Sequence, residues 1–264
     1  MARAESFSIA PIKYSISGKG IYGFDLKNEG FSYNTKTRSF DTARIYYLQQ
    51  PDGGSFSYRL GNQEKNGSKK IDMSGKEDIK WIEVSNTDSS NRLIIVNKVN
   101  GDAAFFGIQY YSINSTVSYC NISKGGMKLE KIMKLDSEYR KKWFGILQPK
   151  TLLLNAGTND RIDTNVQQFK KQLNQYITDV KSGSPDTKMI LIEPNQPEDY
   201  LTTNAIYFEK ARKITATKHQ LHLIDIPKTI GNHQFFVDNK LMTDAIHPNK
   251  GGFKRIALEV NKQL

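Results

Sequence analysis

Thr151-Leu152-Leu153-Leu154-Asn155-Ala156-Gly157-Thr158-Asn159-Asp160 is the stretch that decides the fold. It opens as a short apolar run and ends abruptly in turn residues, as expected of a strand buried in a parallel sheet. Two more such runs follow, at 189–193 and 221–226, with helix-length segments between the three. After the first run, Val166, Phe169, Leu173, Tyr176, Ile177 and Val180 recur at helical spacing and would lay one apolar stripe against the sheet, with Gly183 ending the helix. A closing helix at 251–264 would turn Phe253, Ile256, Ala257 and Val260 inward. Strands alternating with helices signal a parallel α/β domain, expected over residues 113–264.

Toward the N-terminus the period changes. From about residue 7 to residue 111 short apolar or aromatic runs alternate with turn signals, the pattern of antiparallel strands in a sandwich, with candidate strands at 44–48, 55–60, 80–84 and 92–96. Pro51-Asp52-Gly53-Gly54, Asn66-Gly67 and Asn100-Gly101 sit where hairpin turns would fall. Residues 1–112 therefore read as an all-β sandwich preceding the α/β domain. Tyr46, Tyr47, Tyr58 and Trp81 are either a sugar-stacking platform or half of that sandwich's core.

At 264 residues the chain has room for two ordinary domains, and 38% hydrophobic residues fit folded globular protein. No stretch approaches the roughly eighteen consecutive apolar residues of a membrane span, and the polar start lacks the apolar core of a secretion signal, so a soluble chain is expected. The single cysteine, Cys120, rules out an internal disulfide and a cysteine-based zinc site. A net charge of +11 favours anionic partners such as acidic glycans, teichoic-type polymers or nucleic acid. The lysines are scattered rather than massed in one helix or arm, which weighs against a dedicated nucleic-acid binder. His219 and His222 straddle a helix end and a strand, so they do not make a metal site, and no phosphate loop or dinucleotide-binding glycine fingerprint occurs.

Ligands of open α/β sheets bind in the loops beyond the strand C-termini, which is where Asn159 lies. A side-chain amide held there can donate to an oxygen that becomes negative during ester hydrolysis. About ninety residues later comes Asp244-Ala245-Ile246-His247-Pro248, just before the closing helix. Its aspartate and histidine are spaced to hydrogen-bond. A carboxylate bonded to one imidazole nitrogen leaves the other as general base, which is what a Ser/His/Asp triad requires.

With these residues in place, 117–264 resembles the SGNH (GDSL-type) hydrolase superfamily. Gly157-Thr158-Asn159-Asp160 matches its third sequence block and Asp244-Ala245-Ile246-His247-Pro248 its fifth, while Asn121-Ile122-Ser123-Lys124-Gly125-Gly126 resembles the second, with Gly126 the better-aligned glycine. The resemblance implies a flavodoxin-like three-layer α/β fold, His247 as general base, Asp244 as its orienter, and Asn159 with the Gly126 N–H as oxyanion hole, with no metal or organic cofactor. It also implies a strand ending in Gly-Asp-Ser, and no such tripeptide occurs. Gly101-Asp102-Ala103 reads instead as part of a turn, and Glu5-Ser6 has no apolar strand before it.

The chain is similar to carbohydrate O-acetylesterases in which a jelly-roll-like β-sandwich is inserted between the first and second blocks. Such modules also occur in phage tail proteins acting on host glycans. The implied partner is an acetylated or acidic glycan, met outside the cell or on a virion. A truncated parent chain, a second chain supplying the first strand and serine, or a module that only binds glycan would each account for the missing block.

Overall fold

A computed structural model of the chain describes residues 21–24, 31–34, 40–60, 68–86, 92–100, 102–112, 126–162, 164–200 and 204–264. The chain divides into two compact units, Met1–Ser123 and Lys124–Leu264.

The described strands of the first unit are β1 (Ile21–Phe24), β2 (Phe31–Asn34), β3 (Thr42–Gln49), β4 (Ser55–Leu60), β5 (Lys69–Asp72), β6 (Asp78–Ser85), β7 (Arg92–Asn100) and β8 (Asp102–Tyr111). They form two four-stranded antiparallel sheets, ordered β1-β8-β3-β6 and β2-β7-β4-β5. Alternation decides which side chains enter the core. Ala43, Ile45 and Tyr47 of β3, Phe56, Tyr58 and Leu60 of β4, and Ala103 and Phe105 of β8 pack in one apolar cluster, so strands of both sheets contribute to it. Phe56 is fully buried and meets Tyr47 and Phe105 edge-on at ring-centroid distances of 5.7 and 4.9 Å.

In this unit the core reading of the aromatic set holds and the hairpin expectation is corrected. The aromatic set makes no sugar platform: Tyr46, Tyr47 and Tyr58 are buried, the Tyr46 hydroxyl donates to Gln109 Oε1 at 2.8 Å, and only Trp81 stays largely exposed. The turn signals at 51–54 and 100–101 do not close hairpins. β3 and β4 lie in different sheets, as do β7 and β8, so at these places the chain passes from one sheet to the other. Gly and Asn mark where a chain reverses but not which strand it then meets. Only β4 and β5, on either side of Asn66-Gly67, pair directly. Gly53 owes its identity to space, since a Cβ there would stand 2.2 Å from the Met73 carbonyl oxygen.

The second unit runs α1 (Leu129–Met133), α2 (Ser137–Leu147), β9 (Thr151–Asn155), α3 (Val166–Gly183), β10 (Lys188–Glu193), α4 (Ala205–His219), β11 (His222–Asp225), α5 (Ile226–Thr229), α6 (His233–Asp238) and α7 (Lys250–Lys262). Its sheet is parallel, in the order β11-β10-β9. β10, a Met-Ile-Leu-Ile run, is central and buried from Met189 to Glu193. β9 pairs with β10 alone among the described residues, and Thr151, Leu153 and Asn155 are exposed, Leu153 at 41%.

The expected stripe on α3 buries Phe169, Leu173, Tyr176, Ile177 and Val180. Asn165 starts the helix by accepting from the Gln167 N–H at 2.8 Å. Gly183 closes it and permits a tight approach to α2, where a Cβ would lie 2.1 Å from the Lys141 carbonyl oxygen. The same two helices share a buried ion pair. Asp179 accepts from Arg140 Nε and from Ser137 Oγ, both at 2.7 Å, and from Gln175 Nε2 at 2.9 Å. Among the described residues no helix is long and apolar enough to cross a membrane.

The closing helix α7 forms as expected but turns a different face inward. Gly252 and Val260 are buried and Ile256 partly so, whereas Phe253 and Ala257 are exposed, Phe253 at 56%. The cause is Gly252: a Cβ there would meet the Leu241 carbonyl oxygen at 2.4 Å, and this close approach sets the inward line at 252, 256 and 260.

Candidate active site

The first half of the site follows β9. Gly157 has φ +106° and lies against the Arg212 guanidinium, so that a Cβ would stand 2.2 Å from Arg212 Nη1 and 2.9 Å from Phe169 Cζ. Only glycine meets both demands. The turn then enters a short 3-10 helix, Asp160–Ile162, anchored by the buried Asp160 carboxylate, which accepts from the Leu129 N–H at 2.9 Å. Burial pushes the Asp160 carboxyl up, and the Leu129 N–H opposes that shift. Beside it Asn159 Nδ2 donates to the Met127 carbonyl at 3.0 Å. One of the two amide hydrogens of Asn159 is thereby committed to holding the side chain, and the other is a spare donor. Met127 adjoins Gly126, which is exposed at φ +68° with nothing among the described residues within 4 Å of a Cβ position. The second-block glycine and the third-block asparagine therefore sit on two segments tied to each other.

The second half precedes α7. Asp244 Oδ1 accepts from the backbone N–H groups of Ile246 and His247, both at 2.8 Å, and the carboxylate meets His247 Nδ1 at 2.9 and 3.0 Å. The His247 N–H first, then that of Ile246, with the imidazole behind them, hold the Asp244 carboxyl at about 2. With the carboxylate ionised, Nδ1 is the donor and Nε2 keeps its lone pair, the tautomer a general base needs. Both side chains are open to solvent, at 53% for Asp244 and 67% for His247.

A line of bonds connects the halves. Arg212 of α4, buried at 4% exposure, donates Nε to Glu193 Oε2 at 2.6 Å and Nη2 to Glu193 Oε1, while its Nη1 donates to the Ala156 carbonyl at 3.1 Å. One guanidinium thus grips the carboxyl ends of β9 and β10. Burial pushes the Glu193 carboxyl up, against the pull of Arg212. Beyond Glu193, Asn195 Nδ2 donates to the Ile246 carbonyl at 3.1 Å and the Glu198 N–H to the Ala245 carbonyl at 3.0 Å, which fixes the Asp244–His247 turn. Gly157, Thr158, Arg161, Glu193 and Arg212 are among the walls of a cavity of about 20 Å³ at this junction, room for about one water.

The structure brings Asp244 to His247 and Asn159 to the Gly126–Met127 turn, while no hydrogen bond joins Asn159 to His247 among the described residues. Sequence reasoning missed Arg212, Glu193 and Asn195. A signal was present: a glutamate closing the apolar run Met189-Ile190-Leu191-Ile192 is a carboxylate at a buried position and demands a cation. Ser6, Cys120 and 121–125 of the second block lie outside the described residues. His219 bonds Asn174 Oδ1 at 2.8 Å through Nε2, and His222 is exposed on β11.

The family model described as GDSL-like lipase/acylhydrolase matches residues 85–260. The solved structure described as a peptidoglycan O-acetylesterase in action is similar at a TM-score of 0.74 and 10% identity, over 96% of this chain and 73% of that one. At that identity the likeness is one of fold. The psychrotrophic esterase EstA from Pseudoalteromonas sp. is similar over 56% of this chain and 76% of its own, at 19% identity and a TM-score of 0.44. A family two carbohydrate esterase from Clostridium thermocellum is similar over 98% of this chain and 96% of its own, at 9% identity and a TM-score of 0.36. A comparison with curated protein sequences returns no match.

Proposed function

The chain belongs to the GDSL-like lipase/acylhydrolase family, and on that premise we propose that it forms part of a serine esterase site removing O-acyl groups, O-acetyl above all, from a cell-surface glycan. The observation that carries the reading is the Asp244–His247 pair, held at 2.9 Å with Nε2 left free. In the proposed reaction His247 Nε2 takes the proton of an attacking serine and returns it to the sugar oxygen that leaves; it then takes a proton from the water that cleaves the acyl-serine ester and returns that proton to the serine oxygen as the free acid departs. Asp244 holds the imidazole and offsets its positive charge. Asn159 and the Gly126 N–H receive the oxyanion of the tetrahedral intermediate. This sequence carries no recognisable Gly-Asp-Ser, so the serine belongs to a further stretch of a longer protein or to a second chain. The lateral edge of β9 away from β10, unpaired among the described residues, is where that strand would add.

On this reading 1–112 is a jelly-roll-like, glycan-holding sandwich and 113–264 the SGNH-type α/β domain, acting outside the cell or on a virion. Two antiparallel sheets with a common core support the first part. The missing nucleophile favours one rival, a non-catalytic glycan-binding module such as a phage tail protein would carry.

Hydrolysis of p-nitrophenyl acetate separates the two. The chain alone should show background turnover. Supplying a segment that bears Gly-Asp-Ser should create an esterase that His247→Ala or Asp244→Ala weakens by about a thousandfold or more. A restored assembly that binds acetylated glycan but never cleaves it would establish the binding module instead. Strong turnover by the chain alone, lost in Ser6→Ala, would move the nucleophile to Ser6.

A further inference from the structure

Away from the candidate active site, α3 and α4 form the walls of an open hollow of about 420 Å³. Lys170 and Lys171 stand on one wall and Lys218 on the other, and none of the three is in an ion pair among the described residues. No carboxylate lines the hollow. Three unpaired cations around one concavity raise the local concentration of anions well beyond what scattered charges achieve. His219 completes the lining, its imidazole held below its usual range by burial first and then by Lys181 and Lys218.

The remaining lining is neutral and polar. Asn174 is fixed by its bonds to the Lys170 carbonyl at 2.6 Å and to His219 Nε2 at 2.8 Å. Gln175 spends one amide hydrogen on Asp179 Oδ1 at 2.9 Å, leaving its second amide hydrogen and its carbonyl oxygen without a partner among the described residues, and Gln167 adds a further side-chain amide. From Gln167 to Thr178 the wall runs twelve residues of helix, roughly 16 Å from first to last. Its upper end lies in the first turn of α3, directly after the segment that carries Asn159 and Asp160.

We propose that this hollow binds an anionic glycan chain, its lysines taking the charged groups and its amides the hydroxyls, as a site separate from the esterase machinery. Cations alone would serve nucleic acid equally well. The lining weighs against single strands: it holds no Phe, Tyr or Trp to stack a base, its one ring, His219, is partly buried and tied through Nε2 to Asn174 Oδ1, and base stacking is what single-strand binders add to their cationic grooves. Sugar hydroxyls, by contrast, match amide donors and acceptors directly.

The test uses binding and needs no turnover, so it stands or falls apart from the esterase reading. Titration calorimetry on the full chain takes polygalacturonate as a carboxylate-bearing glycan and polyglycerol phosphate as a phosphodiester polymer, with neutral dextran and polyuridylate alongside. At least one anionic polymer should bind, and Lys170→Glu, Lys171→Glu and Lys218→Glu together should weaken it about tenfold or more. A charge-matched set on exposed lysines elsewhere, Lys69→Glu, Lys70→Glu and Lys254→Glu, should cost well under that. Equal losses in both triple variants would overturn the site, because net charge alone would then explain binding. So would failure of both anionic polymers, dextran binding as tightly as they do, or polyuridylate binding as tightly and losing as much in the first triple variant.

Discussion

Replacing Gly157 with alanine tests whether the turn after β9 is held by Arg212. The new methyl group meets two constraints at once. At φ +106° an L-residue costs roughly 1–3 kcal/mol in backbone strain. The methyl carbon would also stand 2.2 Å from Arg212 Nη1, and the guanidinium cannot simply swing aside, because Glu193 holds it on one side and the Ala156 carbonyl receives its Nη1 at 3.1 Å. Losing that charged hydrogen bond costs about 1.5–3 kcal/mol. The Phe169 ring, packed on Phe208 at 4.9 Å, leaves little alternative room. Together these give about 3–5 kcal/mol. Gly126→Ala is the control, since φ is +68° there and nothing among the described residues lies within 4 Å, so strain of roughly 1–2 kcal/mol is its cost. Urea unfolding followed by the buried Trp143, in a Trp81→Phe background that silences the other tryptophan, reads the second unit. In an Arg212→Ala background, Gly157→Ala should keep its backbone strain and its close approach to Phe169 but lose the Arg212 cost, a coupling of about 1.5–3 kcal/mol. If Gly157→Ala is no worse than Gly126→Ala, or its cost is unchanged without Arg212, the guanidinium does not hold the turn.

Asp179→Ala should destabilise the second unit by about 3–5 kcal/mol, because it leaves the buried Arg140 guanidinium uncompensated; a loss under about 1 kcal/mol in the same urea assay would show that α2 and α3 do not depend on the pair. The Asp244 carboxyl should titrate by carbon NMR near pH 2. Because its folded value is depressed, the turn's bonds contribute fully above about 3.9, the unfolded value, and are lost as pH falls toward 2; a midpoint near the unfolded value contradicts the N–H contacts. Asp160→Ala should cost about 1–3 kcal/mol and speed amide exchange at Leu129, whereas Asp160→Asn, which keeps an acceptor for that N–H, should leave exchange near the parent rate; equal exchange in both variants would refute the anchor.

What the sequence made legible was local. The run 151–155, the helical stripe from Phe169 to Val180 and the Asp244–His247 spacing each depend on residues a few positions apart, and each is found in the structure. Partner choice between distant segments was not legible. Asn100 and Gly101 announce a change of direction, but β7 goes to β2 and β4 while β8 goes to β1 and β3, a matter of which faces share a core. Phe253 follows the apolar period of α7 yet lies outside, because a close approach at Gly252, 2.4 Å from a carbonyl for any Cβ, overrides side-chain periodicity. The Arg212–Glu193 grip joins α4 to two strand ends and has no spacing that a motif could record.

The alternation of strands between the two sheets of the first unit has a consequence for synthesis. Ile21 pairs with Phe105 and Phe31 with Ile95, so among the described strands β1 and β2 have no lateral partner until the chain has grown by more than sixty residues. Such distant pairings raise the contact order and slow folding. On the ribosome the first two strands must therefore wait, unpaired, for β7 and β8 to emerge. Truncations ending before Tyr111 should yield no partial version of this unit but an aggregation-prone chain, since the strands that close each sheet on its N-terminal members are the last to be made.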